Sequence, residues 1–209
     1  MNLVIFGASG QTGRLLVEQA LEMGHQVTAY ARREAAVIQD HPNLKVVIGH
    51  LNDRVMVKEA ISGADACFST LGVGSLKNRA PEVTDGIDSI VTIMEETNVK
   101  RFIYLSSLGA GESRKYMGPI MGFLVAGVWL RKPLADHTAN ENRLSRSSLN
   151  WTIVRPGGLT DGLKTGSIRH GSERIKLNSN PTVSRADVAA FMLDQLTDET
   201  YSCRAAWII

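Results

Sequence analysis

Aromatic residues make up only 6% of this 209-residue chain, cysteine occurs twice, and charge of neither sign dominates. Each scarcity excludes something. With few aromatics, a net charge of +2 and no basic stripe, the chain does not read as a nucleic-acid binder. Cys67 and Cys203 are too few for a disulfide framework, and no Cys/His cluster has zinc spacing, so no metal site is expected. Their apolar settings, ADACFST and YSCRAAWII, predict reduced thiols buried in strands. The longest apolar run, MGPIMGFLVAGVWL at 117–130, holds 14 residues with three glycines and a proline. That is short of the roughly 20 needed to span a bilayer, so no membrane segment is expected. Residues 1–6 enter a strand with no basic leader or cleavage site, which predicts a cytoplasmic protein.

What is present alternates. Apolar runs at Leu3–Phe6, Gln26–Ala31, Leu44–Ile48, Ala66–Leu71, Arg101–Ser106, Trp151–Val154 and Ala205–Ile209 read as strands. Between them, Arg14–Met23, Asp53–Ser62, Val83–Thr97, His137–Ser147 and a segment through Leu196 read as helices. The last opens on Ser184-Arg-Ala-Asp187, which has the form of a capping box with Asp in place of Glu. Strands alternating with helices predict an α/β fold: a doubly wound, mostly parallel Rossmann sheet in a single domain spanning 1–209. Two Gly-rich stretches, 107–135 and 156–182, break the rhythm and are expected on the substrate side.

The stretch GASGQTGR places Gly7, Gly10 and Gly13 between the first strand and the first helix. Glycine there permits a sharp turn and lets a pyrophosphate approach the backbone, while the helix N-terminus meets its charge. A structural Gly-rich turn is the alternative reading, and the position in an alternating α/β chain favours a dinucleotide. The second strand ends in Tyr30-Ala31-Arg32-Arg33, with no acid until Glu34. An acid would bind a ribose 2′-hydroxyl; guanidinium groups suit a 2′-phosphate. NADPH is therefore expected ahead of NADH, through Arg32 or Arg33. The alternative for each arginine is a solvated loop residue.

These residues resemble the atypical short-chain dehydrogenase/reductase superfamily, in particular the group of biliverdin-IX-beta reductase and NADH-flavin reductases. The likeness runs through LVIFGASGQTGRLLVEQALEMGHQVTAYARR, GADACFSTLG, VKRFIYLSSLGAG, NRLSRSSLNWTIVRPGGLTDG and VSRADVAAFMLDQL, nearly the whole chain. It implies phosphate contacts at Gly7, Ser9, Gly10, Gln11, Thr12 and Gly13, and an adenosine-side contact at Arg32. It also implies that Thr70, Leu71 and Gly72 pass along the cofactor ribose, that Ser106 and Ser107 lie by the nicotinamide, and that Pro156 and Gly157 border its carboxamide. His50 departs from the family's usual acid after the third strand, and is read as a cofactor-side or simply a loop histidine.

Conventional members of that superfamily use Tyr and Lys four residues apart to protonate a carbonyl. Here Ile120 follows Tyr116 at that spacing, and Leu108 follows Tyr104. The helix where the pair belongs reads ADHTANENRL, with Asp136, His137 and Glu141 as the ionisable candidates; His137 and Glu141, four apart, share one helix face. His137 is a candidate proton relay near neutral pH, or a surface histidine without a role in chemistry. A flavin (FMN or FAD, as substrate) or another planar conjugated acceptor spreads the arriving charge over its ring and needs no strong protein acid. Met117, Phe123, Trp129 and Leu130 could form an apolar platform for such a ring, or pack in the core. The expected activity is NAD(P)H-dependent reduction of such an acceptor by a monomer or small homo-oligomer. An NmrA-like NAD(P)-sensing regulator without catalysis is the alternative. An epimerase or reductase of a specific metabolite ranks below both, since the short C-terminal portion leaves little room for a sugar-nucleotide domain.

Overall fold

The structure, a computed structural model, describes residues 1–32, 40–72, 81–116, 130–175 and 181–209. Its elements run β1 (Asn2–Phe6), α1 (Gln11–Glu22), β2 (Gln26–Ala31), β3 (Leu44–Ile48), α2 (Arg54–Ile61), β4 (Ala66–Ser69), α3 (Pro81–Glu96) and β5 (Arg101–Leu105). A 3-10 helix (Gly111–Tyr116) follows, then α4 (Arg131–Ser145), β6 (Asn150–Pro156), β7 (Gly158–Thr160), β8 (His170–Gly171), β9 (Thr182–Ser184), α5 (Arg185–Asp194) and β10 (Arg204–Ile208).

The main sheet has the order β3-β2-β1-β4-β5-β6-β10-β8, and β7 pairs with β9 apart from it. Every pairing in the main sheet is parallel except that of β8 with β10. The apolar run of β1 is continuous because both of its faces are covered. Leu3 and Ile5 pack with Leu16, Val17 and Ala20 of α1 and Val188, Phe191 and Met192 of α5. Val4 and Phe6 pack on the other face with Val57 and Ile61 of α2, Ile87, Ile90 and Met94 of α3, and Leu144 of α4. The order reverses between β1 and β4, and the carboxyl ends of those strands open a crevice where ligands bind in such sheets.

The strand and helix pattern expected from sequence is present, with local differences. Helix α4 begins at Arg131, six residues before the expected His137, because Pro133 sits in the first turn, where its missing N–H is not needed. The short β7, β8 and β9 lie in a stretch that reads as irregular, since pairs of two or three residues leave no periodic signal. Cys67 is buried in β4 as expected. Cys203 is a correction: it is exposed, outside any strand, in the turn before β10 with φ at 52°. A backbone turn into the left-handed region cannot be read from apolar neighbours.

The cap at Ser184 forms: its Oγ accepts the Asp187 N–H at 2.9 Å. The Asp187 carboxylate does not complete the reciprocal bond. It accepts instead from the Thr165 and Gly166 backbone and the Thr165 and Ser184 hydroxyls, tying the loop after β7 to the start of α5. Burial opposes the charge on Asp187, but these bonds prevail and hold its carboxyl below the usual range. Ser184→Ala is expected to lower unfolding free energy by about 1 kcal/mol, read from the urea midpoint at unchanged slope.

Candidate functional site

A cleft of about 460 Å³ lies at the carboxyl ends of β1 to β4. Gly7, Ser9 and Gly10 form one wall, Arg32, His50, Leu51 and Asn52 another, and Thr70, Leu71, Gly72 and the first turns of α3 complete it. Backbone geometry dictates two of the glycines. Gly7 has φ at 80°, and a Cβ there would stand 2.8 Å from Thr70 Oγ1. A Cβ on Gly13 would stand 2.1 Å from the Gly7 carbonyl oxygen, so α1 meets the loop only without a side chain. Gly10 differs: a Cβ there would meet only that same carbonyl, at 3.2 Å. The fold asks less of position 10 than of 7 or 13: the carbonyl would have to give by only a few tenths of an ångström.

Gly10 is the N-cap of α1, with no capping side-chain bond, and the first turn holds no acid. The amides of that turn are left for an anion. Thr70 fixes the opposite lip, its hydroxyl donating to the Phe6 and Gly7 carbonyls at 3.2 and 3.1 Å. Tyr30 closes the floor by donating to the His50 carbonyl at 3.0 Å, and Gly49 makes room for it. Burial, with the nearby Asp53 charge, pushes the Tyr30 phenol up to about 12. Of the guanidinium pair expected at the end of β2, Arg32 is exposed beside the cleft; Arg33 lies outside the described residues. Gln11, Thr12 and Gly13 sit in the first turn of α1, with Thr12 and Gly13 buried, and do not line the cleft.

Apart from the residues that line this cleft, a polar network lies under the carboxyl ends of β5 and β6. Ser106 follows β5 and donates to Glu141 Oε1 at 2.6 Å. The same carboxylate accepts from Arg155 of β6 at 2.9 and 2.8 Å. Arg155 also forks onto Glu112 of the 3-10 helix, at 2.7 and 3.1 Å. Glu141 and Arg155 are each about 4% exposed. Burial alone would push the guanidinium down, yet the bonds to Glu141 and Glu112 outweigh it and raise it. The guanidinium in turn holds the Glu112 carboxyl below its usual range.

Beside this network the Tyr104 hydroxyl lies 2.8 Å from His137 Nδ1 and 2.9 Å from Asn140 Nδ2. His137 is thus partly buried and bonded to β5. Burial pushes it down to about 4, against a smaller opposite pull from Asp136, so it is neutral at physiological pH and is no relay near neutrality. Ser107 is partly exposed, its hydroxyl 3.3 Å from the Leu108 carbonyl. Pro156 ends β6, and Gly157 passes so close to the Pro181 carbonyl that a Cβ would stand 2.5 Å away. Met117, Phe123 and Trp129 lie outside the described residues; Leu130 packs against Ala110 and Leu134 rather than presenting a platform. Sequence reading missed Arg155, Glu112 and the Tyr104 hydroxyl. The signal for Tyr104 was discarded because no Lys stands four residues on.

Among the described residues no group of His, Cys, Asp and Glu could hold a metal, and no helix is long and apolar enough to cross a membrane. The family described as NAD(P)H-binding matches residues 7–199. The chain is similar to ChuY, an anaerobillin reductase from Escherichia coli O157:H7, with a TM-score of 0.82 and 25% identity over 100% of this chain and 97% of that one. A short-chain dehydrogenase/reductase from Veillonella parvula in complex with NADP shares the fold, with a TM-score of 0.83 at 22% identity over 99% and 93%. The oxidoreductase aflX of Aspergillus parasiticus is 25% identical over 94% of this chain and 79% of its own. The resemblance to the atypical short-chain reductases is thereby borne out.

The glycines separate fold from binding. Gly13→Ala is expected to cost about 1–3 kcal/mol of stability, the range for forcing atoms into a packed site. Gly10→Ala should leave the thermal midpoint nearly unchanged and weaken NADP binding about tenfold or more, measured by calorimetric titration. Glu141→Leu leaves Arg155 short of a buried partner and should cost about 3–5 kcal/mol in denaturant unfolding.

Proposed function

The chain belongs to the NAD(P)H-binding family, and on that premise we propose that it is a reductase that passes hydride from NADPH to a flavin or a similar planar conjugated acceptor such as a tetrapyrrole. The carrying observation is a pair of facts about acids. The Tyr–Lys pair of carbonyl reductases is missing, and the histidine in the helix where it belongs is held neutral. A ketone reduced to an alkoxide needs a proton at once; a conjugated ring disperses the charge and takes its proton from water. The likeness to an anaerobillin reductase supports an acceptor of this kind.

Reduced nicotinamide, when bound, supplies the hydride. The residues here hold and orient it. The uncapped first turn of α1 and the open backbone at Gly10 fit a pyrophosphate, and Arg32 fits a 2′-phosphate. Thr70, Leu71 and Gly72 border the path toward the nicotinamide end. Ser106, Ser107, His137, Pro156 and Gly157 surround the reacting end in this reading. Cytoplasmic location belongs to the same proposal.

The test follows loss of reduced-nicotinamide absorbance with FMN, with a linear tetrapyrrole and without acceptor, using NADPH and NADH in parallel. Acceptor-dependent turnover, faster with NADPH, is expected. Arg32→Ala should lower the NADPH-over-NADH preference about 10- to 100-fold, the worth of a charge-assisted bond. Tight cofactor binding with no turnover would instead favour a nucleotide-sensing regulator, which the missing Tyr–Lys pair also fits.

A further inference from the structure

Tyr104 is fully buried, and its hydroxyl stands between two partners, His137 Nδ1 and Asn140 Nδ2. A phenol has one proton to give. Two arrangements are open. In one, Asn140 donates to Tyr104, which donates to an unprotonated Nδ1. In the other, His137 Nδ1–H donates to Tyr104, which donates to the Asn140 carbonyl after the amide turns over.

The buried amide of Asn140 decides between them. It is 2% exposed, and its other heavy atom has no partner among the described residues. In the first arrangement that orphan is a carbonyl oxygen. In the second it is an NH₂ group, with both protons unsatisfied in the interior. Orphaned buried N–H groups are rarer and costlier than under-used carbonyls. The first arrangement is preferred, so the imidazole proton resides on Nε2. That nitrogen has no partner among the described residues, and His137 is only partly buried. It is the open end of the chain of bonds.

We propose that Asn140 and Tyr104 lock His137 as the Nε2–H tautomer, so that the histidine serves the acceptor as a neutral hydrogen-bond donor, toward a carbonyl or ring-nitrogen lone pair. The catalytic half rests on the reductase reading; the tautomer does not. Tyr104 and Asn140 are positioning residues, acting through His137. The charges around them are Asp136 and Glu141 on α4; the α3 acids Asp88 and Glu95 are engaged by Arg143. Charging His137 would require every bond of the chain to reverse and the amide to turn. That resists protonation in the same direction as burial.

The tautomer is read from long-range ¹⁵N–¹H spectra of the imidazoles in the intact protein, with His137 assigned by its absence in His137→Gln. In the wild-type protein, His137 should be in the Nε2–H form, titrating near 4 rather than at the ordinary 6.5. In Tyr104→Phe and Asn140→Ala its midpoint should move up toward the ordinary value, a shift that a purely structural role would not produce. An Nδ1–H wild type, or a midpoint unmoved in both variants, would overturn the lock. Turnover tests the donor. His137→Phe should lose about 10²-fold in kcat, the worth of one preorganised donor, and His137→Gln, which keeps a neutral N–H, should recover part of that loss. Equal values in the two variants would overturn the donor role. No turnover with any acceptor in the wild type would defeat the reductase reading, while the spectra would still decide the tautomer.

Discussion

A carboxylate and a guanidinium, Glu141 and Arg155, are buried together beneath the carboxyl end of the sheet, and neither could be there alone. Withdrawing either from water costs several kcal/mol, offset only where geometry and further hydrogen bonds are good. Here they are. Arg155 spends its fork on two carboxylates, and Glu141 takes the Ser106 proton as well. The pair joins α4, β6, the 3-10 helix and the end of β5 at one point. Helix α4 depends on this. Its buried residues are Pro133, Leu134, Asp136, Asn140, Glu141 and Leu144, half of them polar. Apolar packing tolerates rotation of a helix about its axis, while hydrogen bonds are directional. The network therefore sets which α4 side chains face β5.

The two halves of the site are built on different principles, and that explains how much of each was legible. The cleft side rests on backbone: Gly7 for a left-handed turn, Gly13 for contact between helix and loop and, under the proposed reading, Gly10 for an approaching ligand. Those requirements fall within seven residues, so their spacing is visible in the sequence. The acceptor side rests on side chains brought together by folding. Arg155 reaches Glu141 across 14 positions and Glu112 across 43. No local pattern marks such a triad, and each member taken singly reads as a solvated charge. Glu141 and His137 were noticed as ionisable residues of the helix where the Tyr–Lys pair belongs, but their partners were not. One faces a guanidinium and the other a phenol.

The errors have the same root. Tyr104 looked like one more apolar residue of a strand, since only the tertiary structure shows what its hydroxyl meets. His137 looked like a group poised near neutrality, since the sequence does not show the burial that displaces it. Cys203 looked buried because its neighbours are apolar, yet the backbone turns at that residue and leaves it exposed. In each case residue type was read correctly and environment was not.

The same environment constrains the chemistry the site can support. The network that pairs Arg155 with Glu141 also fixes Ser106: its proton is committed to the Glu141 carboxylate. Ser106 therefore offers the reacting end a lone pair, not a proton. His137 offers at most an N–H it does not release near neutral pH. A carbonyl reductase arranged this way would have donors to orient its substrate and nothing to neutralise the alkoxide. A conjugated acceptor asks less, because its own π system carries the charge until solvent provides the proton. Under the proposed reading, the interactions that hold α4 in place are also what narrows the acceptor: the helix is secured by its polar groups, and groups so secured are no longer free to act as acids.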